Sequence, residues 1–208
     1  MKLMGFDNVL CLSPHPDDVE YAMSGTVKKY KDTKFEILVM SLGTKTDSND
    51  GRWAEVNKFW AGWKPEAVVS LVQGLTFDFS PPSEWTSFMD DFFKGFDAVF
   101  GPTHEDTHYE HKLANEIMWS FARARPMSVI EYRCISTTHA WQPNMFVPLT
   151  AHDIGVKRVE LCEAFESQLD SPYFTAEAIA MFHRDFLSYK KGLEYVEQFR
   201  IVDHYTKD

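Results

Sequence analysis

Cysteine is scarce. Cys11, Cys134 and Cys162 are the only three in 208 residues, and no two stand in a C-x-x-C pair. An odd, widely spaced set excludes a disulfide framework and reads as reduced thiols in an intracellular chain. Long apolar runs are missing too: no stretch approaches the eighteen or so uncharged residues of a membrane-spanning helix. Met1 to Cys11 lacks the apolar core and small-residue cleavage site of a secretory leader, so the expected location is cytoplasmic. Fixed-period repeats, low-complexity tracts and Gly/Ser linkers are absent. Basic charge is short as well, at 21 Lys and Arg against 31 Asp and Glu, a net of −10. That balance repels nucleic-acid phosphates, anionic membranes and highly anionic polymers.

Apolar material for a core is present, with 44% hydrophobic and 15% aromatic residues. At roughly 100–200 residues per domain, the expectation is a single domain over 1–208. Short apolar runs at Val9–Ser13, Phe35–Leu42, Ala67–Val72, Ala98–Gly101 and Ser128–Ile135 read as strands, and Tyr195–Val202 closes the chain as another. Helical patterns fall at Pro16–Lys31, Arg52–Gly62, Glu84–Lys94, Glu110–Ala124, Asp153–Ser167 and Thr175–Tyr189. The clearest has Leu113, Ala114, Ile117, Met118, Phe121 and Ala122 on one stripe. Continuous apolar strands alternating with helices predict an α/β class: a Rossmann-like, doubly wound, mostly parallel sheet with helices on both faces. Ligands in such sheets sit outside the carboxyl ends of the strands, so the strand-to-helix junctions are where chemistry is sought.

Two junctions stand out. The first reads Ser13-Pro14-His15-Pro16-Asp17-Asp18-Val19-Glu20. Pro16, Asp17, Asp18 and Glu20 are what a helix start uses. A helix start does not account for His15 beside two carboxylates. His15 and Asp18, three apart, can converge on one metal ion and leave Asp17 for a water. The second reads His104-Glu105-Asp106-Thr107-His108-Tyr109-Glu110-His111, which holds three of the chain's eight histidines. It is a metal-ligand run or a solvated polar loop, and histidine with carboxylate suits Zn²⁺ or a similar divalent ion. His104 to His108 also satisfies H-E-x-x-H, but that chemistry needs a stable helix. This run follows Gly101-Pro102, and the apolar helical stripe starts only at Leu113.

Together the clusters resemble the LmbE/PIG-L family of metal-dependent N-deacetylases. The family's H-P-D-D appears as His15-Pro16-Asp17-Asp18. Its D-x-H-P-D-H appears as Asp106-Thr107-His108-Tyr109-Glu110-His111, with Tyr for Pro and Glu for Asp. Arg52-x-x-Glu55 matches an R-x-x-E, and Trp141 to Pro148, Lys157, Ser167-Gln168 and Glu197-Gln198-Phe199-Arg200 look like later landmarks. Ser24-Gly25 stands where the family often has Gly-Gly. The resemblance implies His15, Asp18 and His111 as metal ligands, Asp17 as general base, and His108 as oxyanion partner and proton donor. Asp106 and Glu110 would orient the imidazoles. Arg52 is either a substrate contact or an ion-pair partner of Glu55.

The activity this implies is a zinc-dependent hydrolase (Fe²⁺ or another divalent metal fitting the same donors) that removes acetyl from an N-acetylglucosamine-type conjugate. Trp141, Phe146 and Tyr173 are either sugar-stacking or core aromatics, and His139 a pocket or loop residue. The expected partner is a small-molecule N-acetyl sugar conjugate, with no nucleic acid and no membrane span. A homo-oligomer is left open, as is whether the segment from about residue 140 caps the pocket. Two alternatives stand beside this reading: a zinc peptidase using His104, Glu105 and His108, and a noncatalytic carbohydrate-binding protein on the same fold.

Overall fold

In the first strand, β1 (Asn8–Ser13), side chains at alternate positions enter two different cores: Val9 and Cys11 one, Leu10 and Leu12 the other. A strand apolar on both faces must be covered on both faces, and that requirement sets the layering. The structure, a computed structural model, describes residues 1–43, 49–184 and 194–205. β2 (Lys34–Val39), β3 (Val68–Leu71), β4 (Ala98–Pro102) and β5 (Ser128–Tyr132) join β1 in parallel. β7 (Tyr195–Asp203) runs antiparallel to β5, and β6 (Met145–Leu149) antiparallel to β7. The sheet order is β3-β2-β1-β4-β5-β7-β6.

The helices divide between the faces. Val19, Met23 and Val27 of α1 (Asp18–Lys29) join Phe59, Trp60 and Trp63 of α2 (Asn49–Trp63) on one face. Leu161 of α5 (Ala151–Ala164) and Ile179 of α6 (Ala176–Phe182) complete that core. On the other face lie Trp85 and Met89 of α3 (Pro82–Phe92), with Ala114, Ile117, Met118 and Phe121 of α4 (Tyr109–Ala122). The stripe read from sequence is thus the buried face of α4. The α/β class, the parallel core and the two helical layers match the expectation.

Three details differ. β6 was not anticipated, because Pro148 interrupts its apolar run. Proline lacks the N–H a central strand needs, and β6 is indeed an edge strand. β5 ends at Tyr132 rather than at Ile135, which frees Arg133, Cys134 and Ile135 for a loop. The helix expected over Thr175–Tyr189 is α6 as far as Phe182, and residues 185–189 lie outside the described residues.

A buried ion pair fastens β7 to the helical layer. The Glu197 carboxylate accepts from Lys157 Nζ at 2.6 Å, from Gly25 N at 2.8 Å and from Thr26 Oγ1 at 2.6 Å, and the Lys157 and Glu197 side chains are both fully buried. Gly25 allows this approach, since a Cβ there would stand 2.9 Å from Glu197 Oε1 and 2.7 Å from Leu149 Cδ2. Removing one partner strands the other charge in a low-dielectric interior. Lys157→Met is therefore expected to cost about 3–5 kcal/mol in urea unfolding, and adding Glu197→Gln is expected to restore part of that loss.

Candidate functional site

The sheet order reverses beside β1, whose neighbours are β2 on one side and β4 on the other. Crossovers leave in opposite directions there and open a crevice at the strands' carboxyl ends. Both polar junctions of the sequence end in that crevice. They line a pocket of about 590 Å³ whose wall includes His15, Asp17, Asp18, Arg52, His108 and His111.

After β1, Ser13 Oγ donates to His15 O at 2.7 Å and accepts from Val19 N at 3.3 Å, tying the turn to α1. Asp17, at the N-cap of α1, takes φ 101°, a left-handed conformation uncommon for a residue with a side chain. Its N–H donates to Glu20 Oε2 at 3.1 Å, and the other Glu20 oxygen accepts from Trp60 Nε1 at 2.5 Å. Arg52 Nη2 donates to Asp17 Oδ2 at 3.2 Å and also to Pro16 O. Asp17 is thus held by its backbone from α1 and by its side chain from α2.

After β4, Asp106 Oδ1 accepts from His108 N at 2.7 Å, and Thr137 Oγ1 donates to Asp106 Oδ2 at 3.1 Å. His108 caps α4, its Nδ1 accepting from Glu110 N at 3.3 Å. An accepting Nδ1 leaves the proton of the neutral ring on Nε2. His111, one turn into the helix, is buried. Its Nε2 lies 3.3 Å from Asp18 Oδ2 and its Nδ1 3.3 Å from Asp106 Oδ2. Asp18 Oδ2 also lies 3.3 Å from His15 Nδ1 and accepts from His15 N at 2.9 Å. One carboxylate oxygen is the meeting point of both histidines.

Charge at this point is unevenly shared. Burial disfavours ionised Asp18, but His111 and His15 outweigh it and hold the carboxyl well below its usual range. Burial likewise opposes a proton on His15, yet Asp18 and Glu110 push that imidazole up to about 9. His111 is raised further still, with Asp18 overcoming its burial. His108 is lowered, by burial and then by the other two imidazoles. Asp17 is pushed up to about 8, by burial and by Asp18, against Arg52. Protons on two imidazoles therefore compensate a buried carboxylate, which is positive charge that a divalent cation would supply in their place.

The donor set fits such a cation. Ligand atoms of His15, Asp18 and His111 all lie within 4.8 Å of one another. Two imidazoles and one carboxylate are the mixture that suits Zn²⁺ or Fe²⁺. The remaining ring nitrogens have carboxylate partners, Glu110 for His15 and Asp106 for His111, and such contacts fix ring orientation and raise ligand basicity.

The structure brings together His15, Asp17, Asp18, Arg52, Asp106, His108, Glu110 and His111. Glu110 holds an imidazole as the resemblance implied, and the ring is that of His15, 95 residues away in sequence. His104 stays apart: it is exposed, Glu105 pairs with Arg200, and residues 104–108 are a loop that precedes α4. The H-E-x-x-H run is therefore not on a helix. Arg52 reaches Asp17, and its Nε stands 3.8 Å from Glu55 Oε2. Glu55 itself accepts from Ser167 N at 2.7 Å and from Ser167 Oγ at 2.8 Å. Of the aromatic candidates Tyr173 lines the pocket, with Ser167 and Gln168, so residues beyond 140 supply one wall of it. Trp141 is buried, and His139 is exposed outside the pocket lining.

Sequence reading passed over Glu20, Ser136 and Cys134. Ser136 Oγ lies 3.3 Å from His111 Nδ1, and Cys134 lines the pocket with its thiol pushed up to about 12 by burial. The only sequence signal for Glu20 was an acid in a helix's first turn, which has an ordinary explanation.

No protein-family model matches the sequence. Solved structures do match. N,N'-diacetylchitobiose deacetylase from Pyrococcus horikoshii superposes with a TM-score of 0.74 at 19% identity, over 96% of this chain and 85% of that one. GalB, the 4-carboxy-2-hydroxymuconate hydratase from Pseudomonas putida KT2440, gives 0.72 at 13%, over 97% and 98%. The zinc inhibited form of teicoplanin deacetylase Orf2 gives 0.69 at 12%, over 92% and 96%. A deacetylase and a hydratase on one architecture show that the fold does not choose the reaction. What the superpositions establish is architectural: the chain has the fold of the LmbE/PIG-L-type deacetylases.

Proposed function

We propose that this protein is a divalent-metal-dependent N-deacetylase that hydrolyses the acetamide of an N-acetylated sugar conjugate. The observation that carries the reading is the convergence of His15 and His111 on Asp18 Oδ2 in a pocket that also presents Asp17 and His108. The deacetylases among the similar structures support it, one of them named for N,N'-diacetylchitobiose. His15, Asp18 and His111 would hold the ion, Zn²⁺ or Fe²⁺. When bound it supplies a Lewis acid for the amide carbonyl and acidifies the attacking water.

The chain's own groups do the rest. Asp17, oriented by Arg52, takes the proton of the attacking water. His108 turns its Nε2–H toward the carbonyl oxygen as negative charge develops there, a contact that strengthens in the transition state. Asp17 then passes the proton it took to the departing nitrogen, which regenerates the carboxylate, while the neutral His108 ring keeps its one proton and acts as a hydrogen-bond donor. Asp106 holds the His108 backbone and the His111 ring together, so one carboxylate keeps the hydrogen-bond donor and the ligand in register. Ser167, Gln168 and Tyr173 offer polar edges for sugar hydroxyls on the far wall.

Asp17→Asn is expected to keep its metal and lose turnover by roughly 10²–10⁴-fold, the usual span for a general base. Metal analysis of the purified protein alongside amine release from N-acetylglucosamine conjugates reads both quantities. An unchanged rate would remove Asp17 from the mechanism.

His111→Ala is expected to lose the metal, while His104→Ala retains it. The reverse result would hand the chemistry to the H-E-x-x-H run. Chelation should abolish amine release from the parent protein and Zn²⁺ or Fe²⁺ should restore it; release that survives a chelator would exclude metal dependence.

A further inference from the structure

Behind His111, on the side away from Asp18, stands a second set of donors. A His111 ring nitrogen, an Asp106 carboxylate oxygen and Cys134 Sγ all lie within 4.8 Å of one another, the nitrogen that faces Asp106 is Nδ1, at 3.3 Å, and all three residues are buried. The arrangement is built rather than incidental. Cys134 follows β5, while Asp106 and His111 belong to the loop and helix after β4. These two segments are stitched along their backbones: Thr107 N donates to Ser136 O at 3.0 Å, Thr138 N to Glu105 O at 2.9 Å, and Asp106 bridges Thr137. Thr137 Oγ1 ties the set itself, accepting from Cys134 N at 2.9 Å and donating to Asp106 Oδ2 at 3.1 Å. Cys134 and His111 both line the pocket, so two of the three residues border the cavity that holds the Asp18 site.

We propose that Asp106, His111 and Cys134 form a second cation site, selective for thiophilic d¹⁰ ions such as Zn²⁺ and Cd²⁺, which draws on the same histidine as the Asp18 site. Thiolate with imidazole and carboxylate excludes Mg²⁺ and Ca²⁺, which prefer all-oxygen shells. On binding, the ion replaces the Cys134 thiol proton and the His111 Nδ1 proton, and both leave to water. A neutral imidazole that lends Nδ1 keeps its proton on Nε2 and so cannot serve an ion at Asp18 at the same time. The second site therefore competes with the first, and excess thiophilic metal draws His111 away from the pocket centre. The inference builds on the His15–Asp18–His111 reading but does not need turnover.

The test is a Cd²⁺ titration of metal-free protein, followed by the ultraviolet thiolate-to-cadmium charge-transfer band. The parent should develop the band, Mg²⁺ should not produce it, and Cys134→Ser and Cys134→Ala should lose it with unchanged far-ultraviolet circular dichroism. Asp18→Asn should keep the band and reach it at lower Cd²⁺, because the competitor for His111 is gone. A parent without the band at saturating Cd²⁺ overturns the proposal. So does a band that survives in Cys134→Ser, which would assign it to Cys11 or Cys162. Amine release that fails while the Cys134-dependent band appears would sink the deacetylase reading and leave this site standing; the opposite pair of results would do the reverse.

Discussion

The parallel pairing of β1 with β4 is the contact on which the site depends. Val9, Leu10 and Cys11 align with Ala98, Val99 and Phe100, and this register sets two strand ends side by side where the sheet order reverses. Because the strands are buried on both faces, a slip by one residue would turn every apolar side chain of β1 to the wrong core, so hydrophobic burial fixes the register tightly. The precision of a polar site is thus borrowed from an apolar one.

The site's own groups are then held from several directions. Asp17 has its backbone on Glu20 and its carboxylate on Arg52. Glu20 is locked by Trp60 of α2, and His111 lies between Asp18 and Asp106. Placing carboxylates out of water is costly unless each has a partner. Here each has one, and the partners come from different elements. That multiplicity makes the geometry stiff, which is what a reaction requiring aligned base, donor and substrate needs. It also explains the tolerance of φ 101° at Asp17, since strain persists where surroundings over-determine a residue.

Histidine 111 occupies a divided position. Its two ring nitrogens face two carboxylates, Asp18 toward the pocket and Asp106 toward the β5 loop, with Cys134 beside the second. The same ring that the proposed chemistry needs as a ligand is therefore also the one shared with the second donor set.

The sequence by itself determined the class of fold and the two clusters in which a site was sought. Alternation of apolar strands with amphipathic helices requires a covered parallel sheet, and local spacing marked two clusters of unusual residue types at strand ends; the resemblance to a known family is what implied His15, Asp17, Asp18, Asp106, His108 and His111 within them. Local signals stop at the reach of a turn. The H-E-x-x-H spacing pointed to His104, yet backbone conformation left that residue in an exposed loop. β6 was hidden by Pro148, harmful in a central strand and harmless at the sheet edge it occupies. Glu110 could be read as an orienting group, but that it reaches His15 across 95 residues was decided by the β1–β4 pairing. Cys134 had no sequence signal, because its neighbours Asp106 and His111 come from another segment stitched to its own only by tertiary hydrogen bonds. Residue types and their spacing fix which groups exist and which lie within a turn of one another; only the packing of the sheet decides which distant groups share a charge.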